Sequence, residues 1–213
     1  MATASKEEQV FEFLANLPRE TWILVAVAIV VGWMLSWLWR WYRENSALKS
    51  LISTITAVGS DHLKDVLVPD GMNNFFHVDF LLLTPRGVVV IDLRDVGGNI
   101  FGGDQMSEWT VMDGANRFTF TNPQSPLYDR IAAVKALAGD IPVEGRIVFT
   151  RRAKFPKGLP KWTLMVDSLS SDFPTVERAA MASTAGRYTE AWQRIKSAVK
   201  PSSMNQVRPV PTP

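Results

Sequence analysis

The chain has 213 residues, enough for one globular domain with an appended segment. It has no cysteine, which excludes disulfides, thiol nucleophiles and Cys-ligated zinc or iron–sulfur sites, and its two histidines leave little for a His-rich metal site or a Ser-His-Asp triad. The net charge of +2 is too small to indicate a nucleic-acid partner unless basic residues cluster locally.

The first predicted element is a transmembrane helix. The chain has no charged residue from Trp22 to Trp39, and at a rise of 1.5 Å per residue this stretch covers about 27 Å, close to the thickness of a bilayer's hydrocarbon core. Tryptophans at both ends are typical of the membrane interfaces. A cleaved signal peptide has basic residues before its apolar run, whereas glutamates precede this one. We therefore predict a short extracytoplasmic segment at 1–21 and a span at 22–42 that contacts the lipid bilayer.

The charges that flank this span predict its orientation. Basic residues are sparse before it and more frequent after it: Lys6 and Arg19 precede it, and Arg40, Arg43, Lys49 and Lys64 follow. The positive-inside rule then places the N-terminus outside and the rest of the chain in the cytoplasm. The expected location is the inner (cytoplasmic) membrane of a bacterial cell, crossed once.

The remaining residues predict one mixed α/β domain over 44–199. Apolar periodicity and turn residues indicate a helix at 44–57, then strands at 76–83, 88–93, 107–112 and 116–121, a helix at 125–138, strands at 146–150 and 162–166, and helices at 174–183 and 185–199. Trp109 and Trp162 are interpreted as core residues. The proline-rich residues 200–213 are predicted to be a disordered tail.

Two aspartates stand in strands that are otherwise apolar. Asp79 lies in the first of the predicted strands and Asp92 in the second, followed by Leu93 and Arg94. Burying a carboxylate is costly unless it is paired or binds a cation, so two of them on adjacent strands could hold a hard ion such as Mg²⁺. The alternative is that Asp92 forms an ion pair with Arg94 or Arg86 at a sheet edge.

An ordered set of motifs accompanies these aspartates. It comprises Asp79, Gly87-Val88, Asp92-Leu93-Arg94, Gly98-Asn99-Ile100-Phe101-Gly102, Trp109 and Asn122-Pro123. Over residues 76–123 the set resembles the nuclease-related domain (NERD), a branch of the PD-(D/E)xK nuclease superfamily. The resemblance implies a restriction-endonuclease-like mixed sheet flanked by helices. It also implies that Asp79 and Asp92, with the Leu93 carbonyl and an acidic residue of the preceding helix, Glu44, would hold Mg²⁺.

The chain departs from the family pattern at this site. Aspartate replaces the usual glutamate at 92, and arginine replaces the usual lysine at 94. Because arginine stays charged, Arg94 could stabilise a phosphate but could not act as a base. Three functions stay open. One is a membrane-anchored nuclease in which Asp79, Asp92 and Arg94 support metal-dependent hydrolysis. Another is a catalytically degenerate domain that binds nucleic acid or a protein at the membrane. The third is a membrane-surface adaptor whose basic loop contacts lipid head groups.

Residues 151–161, called here the basic segment, are rich in cations. They include Arg151, Arg152, Lys154, Lys157 and Lys161. Such a cluster could contact nucleic-acid phosphates, rest on the anionic inner leaflet, or be a solvated loop. The sequence alone leaves these three interpretations open.

Overall fold

The computed structural model describes residues 18–173 and 181–202, and divides into two units at Ser50 and Leu51. In the first unit the described residues are helical from Arg19 onward. Helix α1 (Arg19–Thr56) contains an apolar stretch, Trp22–Trp39, of mean hydropathy 2.1 in which every side chain is exposed. By length and composition this stretch could cross a membrane, and its exposure distinguishes it from the core helix of a soluble protein.

The second unit begins with the last turns of α1 and continues through two sheets. Its strands in the first half are β1 (Asp61–Pro69), β2 (Phe75–Thr84), β3 (Gly87–Arg94), β4 (Gly98–Phe101), β5 (Glu108–Asp113) and β6 (Asn116–Thr121). Helix α2 (Gln124–Ala138), β7 (Val143–Phe149), β8 (Ala153–Lys154) and β9 (Thr163–Met165) follow. After a 3-10 turn at Val166–Ser168 come α3 (Leu169–Asp172), α4 (Met181–Ala198) and β10 (Lys200–Pro201).

The larger sheet has the strand order β10-β1-β2-β3-β7-β9. β1, β2 and β3 run antiparallel, whereas β3, β7 and β9 are parallel. The smaller sheet has the order β6-β5-β4-β8. The chain is therefore a mixed α/β protein with two mixed sheets, as the sequence predicted.

Helices cover both faces of the larger sheet, which is why its central strand is buried along almost its whole length. One core joins Val90 of β3 to α2 and α4, through Val134 and Trp192 respectively. The other joins Ile91 of β3 to the end of α1 at Ile55 and to Leu169 of α3. The smaller sheet contributes Trp109 to the first core, so that prediction is confirmed.

Three sequence predictions need correction. Trp162 is 39% exposed and is not a core residue. The first two residues of the predicted disordered tail are ordered: Lys200 and Pro201 form β10 and pair with Leu67 and Val66 of β1. The last helix begins at Met181, four residues before its predicted start at 185. Much of the helix predicted at 174–183 lies outside the described residues, as do 203–213 and most of 1–21.

Candidate functional site

The two aspartates lie opposite each other on neighbouring strands. Phe80 of β2 pairs with Ile91 of β3 in the antiparallel ladder, and the same register places Asp79 across from Asp92. The Leu93 backbone N–H donates a 2.8 Å hydrogen bond to Asp79 Oδ2. Asp92 is buried, while the Asp79 side chain is 25% exposed. The two side chains lie close together, as the sequence predicted, and their roles stay predictions.

Two guanidinium groups bind the Asp92 carboxylate. Arg94 Nη2 lies 2.8 Å and Arg130 Nη1 3.1 Å from the same oxygen, Asp92 Oδ2. Arg130 also donates from Nε to the His77 carbonyl oxygen at 2.7 Å, so it ties α2 to both β2 and β3. The ion pair with Arg94 is one that the sequence allowed. The predicted location was wrong, because β3 is an interior strand and not a sheet edge.

Arg130 was missed by sequence reasoning, although a signal for it exists. It stands three residues after Leu127 and four before Val134, on the same helical face as these buried residues. An arginine on the apolar face of a core helix needs a buried anion. Asp92 is that anion.

The environment of Asp79 favours its neutral form. Burial and the neighbouring charge of Asp92 raise the pKa of Asp79 to about 6, against the opposing effects of the Leu93 N–H, His77 and Arg94. His77 Nδ1 is 3.7 Å from Asp79 Oδ1, and its Nε2 is 2.6 Å from Asp65 Oδ1. Asp79 therefore keeps its proton up to a higher pH than an ordinary aspartate does.

These side chains fit a bound metal poorly. Arg94 and Arg130 already supply the positive charge that Mg²⁺ would bring to Asp92. Among the side chains that the structure describes, which do not include that of Glu44, no cluster of three or more His, Cys, Asp or Glu is arranged to hold an ion. Glu44 lies within α1, and the structure describes only its backbone, so its role as a ligand stays a prediction. The donor set around Asp92 is thus better suited to an anion than to a metal.

Arg94 is the more exposed of the two arginines on Asp92. Its side chain is 26% exposed, against 18% for Arg130. Its Nε is buried and, among the described residues, has no hydrogen-bond partner. Because this atom is shielded from solvent, an external anion would have to meet another part of the guanidinium group.

The basic segment divides into paired and unpaired cations. Arg151 binds Asp167 at 2.7 Å, and Arg152 binds Asp95 at 3.2 Å. Lys154, Lys157 and Lys161 are exposed, and the described part of the chain records no ion pair for them. Lys157 lies 5.8 Å from the centre of the Phe101 ring. The three lysines are the part of the segment that keeps its charge available.

The comparison with known proteins bears on the same strands. A family model of the nuclease-related domain matches residues 41–150, just over half of the chain. The chain belongs to the NERD family. Neither curated proteins nor solved structures include a match to it. The match covers Asp79, Asp92, Arg94 and Arg130, and ends where the basic segment begins.

Packing explains two of the NERD motifs. A Cβ on Gly102 would lie 2.4 Å from the Trp109 ring, so this glycine is needed for the tryptophan to pack. Asn122 is buried and donates from Nδ2 to the Met106 carbonyl at 2.7 Å, while its Oδ1 accepts from the Gln124 N–H. These motif residues therefore hold loops in place beside the first turn of α2.

Proposed function

We propose that this NERD protein is anchored in the inner membrane by residues 22–42 and binds nucleic acid in the cytoplasm without metal-dependent hydrolysis. The observation that carries the proposal is the double ion pair of Asp92 with Arg94 and Arg130. In the metal-dependent interpretation this carboxylate would be a ligand of Mg²⁺. With two arginines on one oxygen, it serves instead to position guanidinium groups.

Those groups and the basic segment have the chemistry to bind phosphate. The Arg94 side chain is 26% exposed, and guanidinium groups bind phosphate oxygens through charge-assisted hydrogen bonds. Lys154, Lys157 and Lys161 add three exposed charges, and contacts of this kind position a protein on a nucleic-acid backbone without reading its sequence.

The binding test uses the full chain in lipid nanodiscs with fluorescently labelled single-stranded DNA and RNA. Replacing Lys154, Lys157 and Lys161 with glutamine should weaken binding and make the slope of log K against log salt shallower by about 2 to 3. The matched control replaces three exposed cations elsewhere, Lys64, Arg117 and Lys135, with glutamine. Equal losses in both variants would show general charge attraction and count against the basic segment.

The hydrolysis test uses the same preparation with Mg²⁺ or Mn²⁺, the cofactors that the metal-dependent interpretation requires. We expect binding without cleavage. Cleavage that is present in the wild type and absent in Asp79→Asn, which we expect to keep its fold, would overturn the metal-free part of the proposal and support the nuclease. Salt-sensitive binding of empty anionic vesicles with no binding of nucleic acid would identify the basic segment as a lipid contact instead.

A further inference from the structure

Trp162, directly after the basic segment, has an unusual backbone conformation. Its φ is +56°, in the left-handed region that bulky side chains rarely adopt. The Ile147 N–H donates to the Trp162 carbonyl at 2.8 Å and the Thr163 N–H donates to the Pro160 carbonyl at 3.2 Å, which fixes the conformation from both sides. A strained residue held in this way is found disproportionately at functional sites.

The indole of Trp162 is not held there by burial. It is 39% exposed and packs edge-to-face on Tyr128 of α2, itself 50% exposed, with 4.9 Å between ring centres. Two large aromatic side chains thus stand together at the surface, one of them on a strained backbone. A packing role alone would favour burying them.

Both rings line a half-open cavity of about 400 Å³ whose walls are partly polar and partly apolar. The buried Gln124 donates from Nε2 to Asp104 Oδ1 at 2.8 Å and to the Lys161 carbonyl at 2.9 Å. Its Oε1 accepts from Asn122 Nδ2 at 3.1 Å. The two buried amides therefore fix the cavity's walls before any ligand arrives, which lowers the entropic cost of binding.

The charges at the rim define the ligand further. Hydrogen bonds from the Gln124 side chain and the Lys161 N–H lower the pKa of Asp104, so it is a carboxylate at neutral pH. A carboxylate accepts hydrogen bonds from ring N–H and amino groups, such as those of cytosine and guanine. Lys161 lines the same cavity and can meet a phosphate. Aromatic faces, an acceptor and a cation around one cavity match a nucleotide.

We propose that this cavity binds an unpaired nucleobase, stacked on Trp162 or Tyr128, with its phosphate near Lys161. This inference rests on the proposed function, because we take the bound base to belong to single-stranded nucleic acid. A free nucleotide has the same chemical groups and could occupy the cavity instead. Six of the eight residues that line the cavity lie within the NERD match, whereas Lys161 and Trp162 lie beyond its end at residue 150.

The test compares an intact single-stranded DNA 12-mer with an abasic 12-mer of the same charge, using the full chain in nanodiscs. We expect the intact strand to bind at least about 5-fold more tightly, because stacking on an aromatic side chain strengthens binding of every stacked base. Trp162→Gly should remove that preference, so that the intact and abasic strands bind equally. Glycine adopts a positive φ without strain, so a thermal unfolding midpoint no lower than the wild type's by more than a few degrees shows that the fold survives.

Other variants and ligands distinguish the remaining outcomes. Trp162→Phe keeps a stacking ring and should retain much of the preference, and Tyr128→Ala should reduce it. Equal binding of both strands by wild type and Trp162→Gly overturns the base site and leaves the proposed nucleic-acid function standing. Binding of cytidine or guanosine monophosphate that depends on Trp162, with no binding of either strand, supports the cavity but assigns it a free nucleotide and overturns the proposed function. No binding of strands or nucleotides overturns both.

Discussion

At the scale of single residues, Asp92 has a structural role, which it would keep beside any catalytic role. It is the common partner of Arg94 and Arg130, and through them it links β3 to α2. Removing one partner of a buried ion pair is much more costly than the pair is worth, because a charge is left uncompensated. A loss of activity in an Asp92 variant would therefore have to be separated from a loss of fold.

The first prediction concerns this ion pair. Asp92→Asn keeps the side-chain shape but leaves two half-buried guanidinium groups without their carboxylate. We expect the free energy of unfolding of the full chain in detergent to fall by about 3–5 kcal/mol, measured by urea titration. Asp113→Asn, at the exposed end of β5, is the matched control and should change it by less than about 0.5 kcal/mol. Equal stability of the two variants would contradict the assigned role of Asp92.

The second prediction concerns the pH dependence that Asp79 imposes. Its pKa is raised to about 6 in the folded protein, above the ordinary value of 3.8. Between these two values the folded state binds more protons than the unfolded state, so this residue's contribution to stability falls as the pH rises from 3.8 to 6. Asp79→Asn stays neutral throughout, and its amide oxygen can still accept from the Leu93 N–H.

We therefore expect Asp79→Asn to be more stable than the wild type at pH 7, by about 1–3 kcal/mol. The difference should shrink as the pH is lowered toward 4. Urea unfolding at a series of pH values measures it, with Asp113→Asn again as the reference. A variant that is less stable than the wild type at pH 7 would show that the ionised Asp79 stabilises the fold, opposite to the proposed effect.

At the scale of elements, the Gly102–Trp109 contact joins the two ends of the loop between β4 and β5. Gly102 directly follows β4. A Cβ on it would lie 2.4 Å from the Trp109 ring, which fills that space. The ring itself is buried, packs near Phe149 of β7, and donates from Nε1 to the Gly103 carbonyl at 3.2 Å. It therefore has little freedom to move.

This contact gives the third prediction. Gly102→Ala should destabilise the protein by about 1–3 kcal/mol, because the added methyl group must displace a packed ring. Gly103→Ala is a close control, since its Cβ would approach no atom nearer than 3.5 Å. Thermal unfolding followed by tryptophan fluorescence compares the two. Equal midpoints would mean that the ring moves at no cost.

The strands and helices with a clear local sequence pattern were predicted correctly. β2, β3, β5, β6 and α2 each have an apolar periodicity bounded by turn residues, and each lies within a residue or two of its predicted range. β1 was not predicted as a strand, because charged residues interrupt its pattern and Asp65 has a φ of +54°. The two-residue strands β8 and β10 exist only through their partners, Gly98–Asn99 and Val66–Leu67.

In the candidate site, too, some residues could be predicted from local sequence and others depend on tertiary packing. Neighbouring strands joined by a short turn predicted that Asp79 and Asp92 would lie together, since register follows from the hairpin. The contribution of Arg130 depends on how α2 packs across the sheet, which no local pattern gives. Trp162 was assigned to the core by residue type alone, and only the tertiary structure shows it at the surface beside Tyr128.

At the scale of the whole molecule, the proposed membrane anchor would limit which nucleic acids the protein could meet. If residues 22–42 stay in the membrane with the NERD domain inside, binding is limited to nucleic acid that comes to the inner surface. If the domain lay in the periplasm, it would not meet the cytoplasmic nucleic acid that we propose as its ligand. Topology is therefore the property on which the proposed function depends most, and the chain's lack of cysteine makes it simple to measure.

The last prediction is the topology itself. Two single-cysteine variants report on the two sides: Ser5→Cys before the span, and Ala115→Cys in the exposed β5–β6 turn. In bacterial cells expressing the chain, a membrane-impermeant maleimide should label Ser5→Cys in intact spheroplasts and label Ala115→Cys only after lysis, since the positive-inside rule directs the basic flank inward. The opposite labelling pattern would reverse the orientation. Recovery of a shortened chain in the soluble fraction would show that the apolar helix is a cleaved signal sequence, and the membrane anchor would then have to be abandoned.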